Sequence, residues 1–284
     1  MKHVRLFVWA SLALWPLLLI GEESVAPQSA VLLNVSGAIG PATGDYVHRG
    51  LEKAKQAKAS LVILRIDTPG GLDSAMRKII QDIIASPVPV ATYVAPSGSR
   101  AASAGTYILL ASHVAAMAPA TNLGAATPVQ IGGAPDPGAD RQPRRDDPSR
   151  DKDKKDDKAK PAKPGIEEKT LNDAIAYIRG LARMRGRNEA WAEKAVREAA
   201  SLQAEEAVKQ NVADLIATDV NDLLKKLNGR KIPMDGATVV LKTDGLNVVT
   251  IDPDWRSRLL SVITDPNVAY ILMLLGIYGL FFEL

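Results

Sequence analysis

The sequence predicts an α/β fold built on a mostly parallel sheet, and three observations carry that prediction. Continuous apolar runs at residues 31–35, 61–66 and 88–94 have the length and β-branched content of buried strands. Helically spaced apolar residues separate them, with Val47, Leu51 and Ala54 on one face of 45–57 and Met76, Ile79, Ile80 and Ile83 on one face of the segment that Ser86-Pro87 stops. Turns rich in glycine or serine follow the second and third strands. Alternating strands and helices imply right-handed crossovers between parallel strands. Sites in such sheets form at the carboxyl ends of strands, where both turns lie.

Composition narrows the function classes. The chain has 284 residues, 46% of them hydrophobic and 24% charged, enough for one or two domains with a sizeable core. A net charge of +3 with interspersed signs excludes a nucleic-acid footprint. The absence of cysteine removes disulfides, thiolate metal sites and a cysteine nucleophile. His3, His48 and His113 are the whole imidazole inventory.

Along the chain, Lys2, His3 and Arg5 precede an apolar stretch at 6–20, so residues 1–24 read as a signal peptide or N-terminal anchor that places the next domain on the exported side. That domain spans 30–230, and within it 104–111 reads as helix and 114–117 as strand. It is interrupted by a proline-punctuated, mixed-charge tract at 132–165, read as a disordered loop because it offers no apolar face. Helical periodicity returns over 167–185 and 189–200. Residues 231–265 read as a small β appendage next to the membrane, with Asp235-Gly236 and Asp244-Gly245 bracketing strand-like runs at 238–242 and 247–251. The apolar run 268–282 predicts that 266–284 begins a transmembrane region, in a chain truncated there.

The stretch Pro96-Ser97-Gly98-Ser99-Arg100-Ala101-Ala102-Ser103-Ala104-Gly105-Thr106-Tyr107 concentrates small residues and three serines between a strand and an apolar helix. Acyl transfer needs a nucleophile, a base and backbone donors aimed at the developing oxyanion. Gly70-Gly71 supplies exposed N–H groups at one strand end, and Ser103 opens the next helix with the Ala104 N–H beside it. An isolated Ser-Ala-Gly is as readily an N-cap, and Ser97 and Ser99 read as turn residues. With histidine so scarce the base reads as a lysine. Its pKa must then fall from about 10.4 by roughly 3 units, about 4 kcal/mol, which burial can supply. The lysines between 152 and 163 read as solvated, whereas Lys169 opens an amphipathic helix.

Taken together, Asp67-Thr68-Pro69-Gly70-Gly71 and Gly98-Ser99-Arg100-Ala101-Ala102-Ser103-Ala104-Gly105-Thr106-Tyr107 resemble the ClpP-class, membrane-bound serine proteases of the NfeD family. Met117-Ala118-Pro119-Ala120-Thr121-Asn122-Leu123-Gly124-Ala125, Gly186-Arg187-Asn188 and Ile263-Thr264-Asp265-Pro266-Asn267-Val268-Ala269-Tyr270 extend the likeness over most of 31–284. The resemblance implies a ClpP/crotonase-like fold and a Ser-Lys dyad needing no cofactor or metal. It implies cleavage of apolar segments of membrane proteins, with a stomatin-like protein as substrate or partner, and assembly as a homo-oligomer. Carried over, Ser103 matches the nucleophile, Lys169 the general base, and Gly71 and Ala104 the oxyanion-hole donors. The charged insertion before Lys169 is longer than the family pattern. Two other readings share the fold: a non-catalytic scaffold for membrane-protein assembly, and an acyl-CoA enzyme of crotonase type.

Overall fold

A computed structural model describes residues 29–129, 165–234, 236–263 and 266–283. The expected signal or anchor at 1–24 and the charged tract, apart from Gly165, lie outside these residues. The chain forms β1 (Ser29–Ser36), α1 (Pro41–Gln56), β2 (Leu61–Asp67), α2 (Asp73–Ile84), β3 (Val90–Val94), β4 (Arg100–Ala102), α3 (Ala104–Ala111), β5 (Val114–Met117) and β6 (Asn122–Gly124). There follow α4 (Ile166–Met184), α5 (Glu189–Arg197), β7 (Ser201–Gln203), α6 (Ala204–Lys209), β8 (Leu215–Ile216) and α7 (Val220–Leu227). The last elements are β9 (Lys231–Met234), β10 (Ala237–Val240), β11 (Asn247–Ile251), α8 (Trp255–Ile263) and α9 (Pro266–Glu283).

Six strands in the order β11-β1-β2-β3-β5-β8 make an all-parallel sheet, which bears out the predicted class. Because side chains alternate faces along a strand, β1 and β2 feed two cores. Val31, Leu33, Val62 and Leu64 pack with α1–α5, while Leu32, Leu61 and Ile63 pack with Leu223, Leu224 and Leu227 of α7. Burial on both faces is why these strands read as unbroken apolar runs. A second, three-stranded sheet, β4-β6-β7, sits beyond the carboxyl ends of the main strands and holds the serine-rich stretch in place.

Two expectations need correcting. The 231–265 segment is not a separate appendage: β9 and β10 form a hairpin, but β11 joins the main sheet beside β1, with Ser29–Leu33 opposite Asn247–Ile251. β1 would otherwise be an edge strand with unpaired backbone groups, and β11 satisfies them. The Tyr46 hydroxyl closes the end of this ladder, accepting from the Asn34 N–H (2.9 Å) and donating to the Ile251 carbonyl (2.5 Å). Second, a C-terminal transmembrane helix is not supported, since among the described residues no helix is long and apolar enough to cross a membrane.

Every residue of α3 is buried, so the helix depends on polar groups at its ends. Arg187 Nη1 donates to the carbonyls of Leu109 (3.2 Å), Leu110 (2.8 Å) and Ser112 (2.9 Å), and Nη2 to Asp214 Oδ2 (2.7 Å). Arg185 Nε donates to the Ala111 carbonyl at 2.8 Å. Two guanidinium groups thus cap the negative end of the α3 dipole.

Beside them His113 is held neutral. Its Nδ1 accepts the Val90 N–H (3.2 Å), and burial, then Arg185 and Arg187, push its pKa down to about 3. The unfolded imidazole titrates at 6.5, so between pH 6.5 and 3 the unfolded chain binds the extra proton. This contribution to stability is complete above pH 6.5 and is lost as the pH falls towards 3. Linkage gives a loss of about 2 kcal/mol between pH 7 and 5. His113→Asn, whose Oδ1 can take the Val90 N–H, is expected to lose that much less over the same interval in denaturant titrations at the two pH values. Equal losses in the two proteins would refute it.

Candidate active site

The site is built on the turn after β2. Thr68 is fully buried; its Oγ1 accepts the Gly70 N–H (3.0 Å) and donates to the Gly70 carbonyl (3.1 Å), folding the chain sharply out of the strand. The loop after β1 grips this turn on both sides of Gly71, through Ile39 N–H to Gly70 O (2.8 Å) and Leu72 N–H to Ile39 O (2.8 Å). A Cβ on Gly71 would lie 2.1 Å from the Ile39 carbonyl oxygen, so only glycine fits. The Gly71 N–H itself donates to no other described residue.

Ser103 lies against this turn. Its backbone has φ 50° and ψ −117°, a conformation rare outside glycine, enforced by Ser103 N–H to Gly124 O (2.9 Å) and by Thr106 Oγ1, which contacts both the Ala101 and Gly124 carbonyls. Ser103 occupies the N-cap position of α3 without capping it, since its side chain makes no cap hydrogen bond. The plain N-cap reading therefore fails. A Cβ on Gly70, at φ +122°, would come within 2.7 Å of Ser103 Cβ and 3.1 Å of Ser103 Oγ. The Ala104 N–H, first in α3, has no intrahelical acceptor and stands beside the same hydroxyl.

Gly71, Ser103 and Ala104 all line one cleft of about 290 Å³. Leu72, Met76, Tyr107, Pro128 and Val129 give it an apolar wall, and Thr170, Asp173 and Ala174 of α4 form the facing side. Burial pushes the Tyr107 hydroxyl well above its ordinary range, with Asp73 adding to the effect, so Tyr107 remains a neutral donor to the Ala126 carbonyl at 3.2 Å. The structure brings three of the four expected residues together. The fourth, Lys169, is exposed in the first turn of α4, next to Thr170, and does not line the cleft.

Neither described histidine competes for the role of base. His113 bonds to Val90 at the amino end of β3, whereas Ser103 lies past the carboxyl ends. His48 pairs with Asp82 (3.1 Å) along a separate cleft of about 330 Å³ between α1 and α2, which shares no lining residue with the Ser103 cleft. Among the described residues no cluster of ligands could hold a metal ion.

Sequence reading missed one charged group, Arg77, that lines the Ser103 cleft together with Asp73 and Asp173. Arg77 of α2 bonds Asp73 Oδ2 (2.8 Å) and Asp173 Oδ2 (2.6 Å), with its guanidinium carbon 4.3 Å from the centre of the Tyr177 ring. The i,i+4 spacing of Asp73 and Arg77 is visible in the sequence, but the partner 96 residues away is not.

Among known proteins, the NfeD1b N-terminal domain family matches residues 31–142, which include Gly71, Ser103 and Ala104. The membrane-bound protease PH1510 of Pyrococcus horikoshii is 38% identical over 266 residues, 93% of this chain and 55% of that protein. The membrane protein NfeD1b of Bacillus subtilis is 34% identical over 129 residues, 44% of this chain and 29% of that protein. The chain thus spans about half or less of the length of these curated relatives. Among solved structures, a lysine-to-alanine mutant of the 1510-N membrane-bound stomatin-specific protease, in complex with a substrate peptide, superposes with a TM-score of 0.68 at 38% identity, covering 84% of this chain and 99% of that one. A serine-to-alanine mutant of the same protease gives 0.65 at 36% identity, covering 81% and 100%. With a shared fold, this level of identity and near-complete coverage of the solved domain, the chain belongs to the NfeD family.

Proposed function

We propose that this chain is the catalytic part of a membrane-tethered Ser-Lys endopeptidase that cleaves apolar segments of a stomatin-like membrane protein. The observation that carries the reading is Ser103: a side chain without a cap hydrogen bond, on a strained strand-to-helix turn, between two backbone N–H groups unpaired among the described residues. Its Oγ attacks the scissile carbonyl while its proton passes to Lys169 Nζ. The oxyanion accepts from Gly71 N–H and Ala104 N–H. Collapse of the tetrahedral intermediate expels the amine, which takes the proton from Lys169, and water then releases the acyl group by the same route. The apolar wall suits an apolar substrate segment. That a serine and a lysine were each replaced in the relative's solved structures supports a dyad.

Attachment to a membrane is supported by the exposed apolar residues of α8 and α9, among them Leu259, Val262, Leu275 and Phe281, and the reading of residues 1–24 as a signal or anchor is the ground for proposing the catalytic part on the exported side. One observation favours a second reading, a non-catalytic scaffold for a membrane partner: Lys169 lies outside the lining of the cleft. A phosphonylating probe separates the two. The protease reading expects stoichiometric labelling of the wild type and none of Ser103→Ala. An unlabelled wild type that still binds a stomatin-like partner would establish the scaffold instead.

A further inference from the structure

The groups of the proposed mechanism share one arrangement: each stands shortly before a member of a single side-chain stack. Gly71 leads into α2, which carries Asp73 and Arg77. Ser103 precedes Tyr107 by four residues on α3. Lys169 precedes Asp173 by four and Tyr177 by eight on α4. Arg77 ties these helices together through its bonds to Asp73 and Asp173 and its position over Tyr177, whose ring stacks on Tyr107 at 6.0 Å and 25°. Burial alone would lower the Arg77 pKa, but Asp73 and Asp173 outweigh it and hold the guanidinium charged.

The two ends of α4 differ in how much apolar surface they bury. Its later turns are fixed by burial, through Ile175, Ile178, Leu181 and Ala182. From 167 to 173 only Leu171 is as much as half-buried, and the rest of that stretch, Lys169 included, is exposed. A helix end without apolar burial frays readily unless side chains hold it.

Resting on the dyad reading above, we propose that Arg77 is a positioning residue that clasps the first turns of α4 to α2 and α3 and so sets the approach of Lys169 to Ser103. A small displacement is enough to matter, because an error of about 1 Å in a reacting pair costs roughly 100-fold in rate.

The test combines kinetics with a readout that needs no activity. In Arg77→Ala, kcat for a Ser103-dependent peptide should fall roughly 10- to 100-fold with KM nearly unchanged. Phosphonylation of Ser103 should slow by a comparable factor. Asp173→Asn should reproduce most of this, and the double variant should be no worse than Arg77→Ala, since one contact is broken in each. Amide hydrogen exchange should quicken roughly 10-fold over 167–173 while 178–182 keeps its protection. A raised KM with intact kcat would make Arg77 a substrate contact and overturn the proposal. So would a loss of activity explained by the unfolded fraction alone, or unaltered exchange over 167–173. If the wild type neither cleaves nor labels, the dyad reading fails on that result, and the exchange comparison still decides whether the clasp exists.

Discussion

Ser103→Ala is expected to leave a folded protein that no longer cleaves peptide, and Ser103→Gly a more stable one that is equally inactive. The Ser103 hydroxyl makes no hydrogen bond to another described residue, so deleting it removes no stabilising contact. Its backbone is the strained part, with φ 50° and ψ −117°. Holding a residue with a Cβ in such a conformation costs roughly 1–3 kcal/mol, and glycine relieves much of it. Alanine keeps the strain and should unfold like the wild type; glycine should raise the unfolding free energy by roughly 1 kcal/mol or more. Loss of the nucleophile lowers kcat by roughly 10⁴-fold or more when the serine forms the acyl intermediate. Denaturant titration and peptide cleavage on the three proteins check both halves. Cleavage surviving in either variant would remove Ser103 from the mechanism, and destabilisation by alanine would give the hydroxyl a structural role. A stabilised, inactive Ser103→Gly would show that this turn trades stability for a presented nucleophile.

What was legible in the sequence was whatever burial dictates locally. α3, β5 and β11 fall on the predicted residues, and β2 gains one. Runs buried on both faces announce themselves without knowledge of their partners. α1 starts four residues before the predicted 45, because Pro41 is preset for a first helical turn although Gly40-Pro41 reads as a loop signal. The three-residue strands β4, β6 and β7 carry no periodicity, and their pairing joins positions as far apart as Asn122 and Gln203. The same distance hid the place of β11, whose partner lies at the other end of the chain.

The site divides along the same line. Gly71, Ser103 and Ala104 stand on two turns at neighbouring strand ends, so strand reading alone brought them together. Gly186-Arg187-Asn188 stood out in the sequence only as a shared motif. The fold gives it a physical basis: Arg187 caps the helix that begins with Ala104, and Asn188 caps α5 through Trp191 N–H (2.9 Å). The clasp around Arg77 was illegible because a surface arginine with an acidic i,i+4 neighbour is ordinary on any helix. Only the reach of its side chain from α2 to Asp173 and Tyr177 of α4 singles it out.

Gly71→Ala should damage fold and chemistry together, and the two losses are separable. The new Cβ meets backbone, 2.1 Å from Ile39 O and 2.5 Å from Ile39 N, so no rotamer change relieves it. Either the Ile39 loop or the Gly71 turn must shift, breaking Ile39 N–H to Gly70 O or Leu72 N–H to Ile39 O, each 2.8 Å in the native turn. Losing one such bond and straining its neighbours costs roughly 1–3 kcal/mol. On the proposed mechanism the shift also takes the Gly71 N–H off its line to the oxyanion, and removing one oxyanion donor costs about 10²–10³-fold in kcat. Gly180→Ala serves as the control. It sits in mid-α4 with nothing within 4 Å of an added Cβ, so alanine should stabilise by about 0.5–1 kcal/mol and leave kcat alone. Rates are compared per folded molecule, at a temperature where unfolding curves show each variant native. If folded Gly71→Ala then turns over and is phosphonylated at wild-type rates, Gly71 is a structural glycine only. The oxyanion would then rest on Ala104 and a donor still to be found in the cleft. If kcat falls 10²–10³-fold while the folded fraction is unchanged, the Gly71 N–H acts on the transition state, because a substitution that only destabilised the fold would leave the folded molecules fully active.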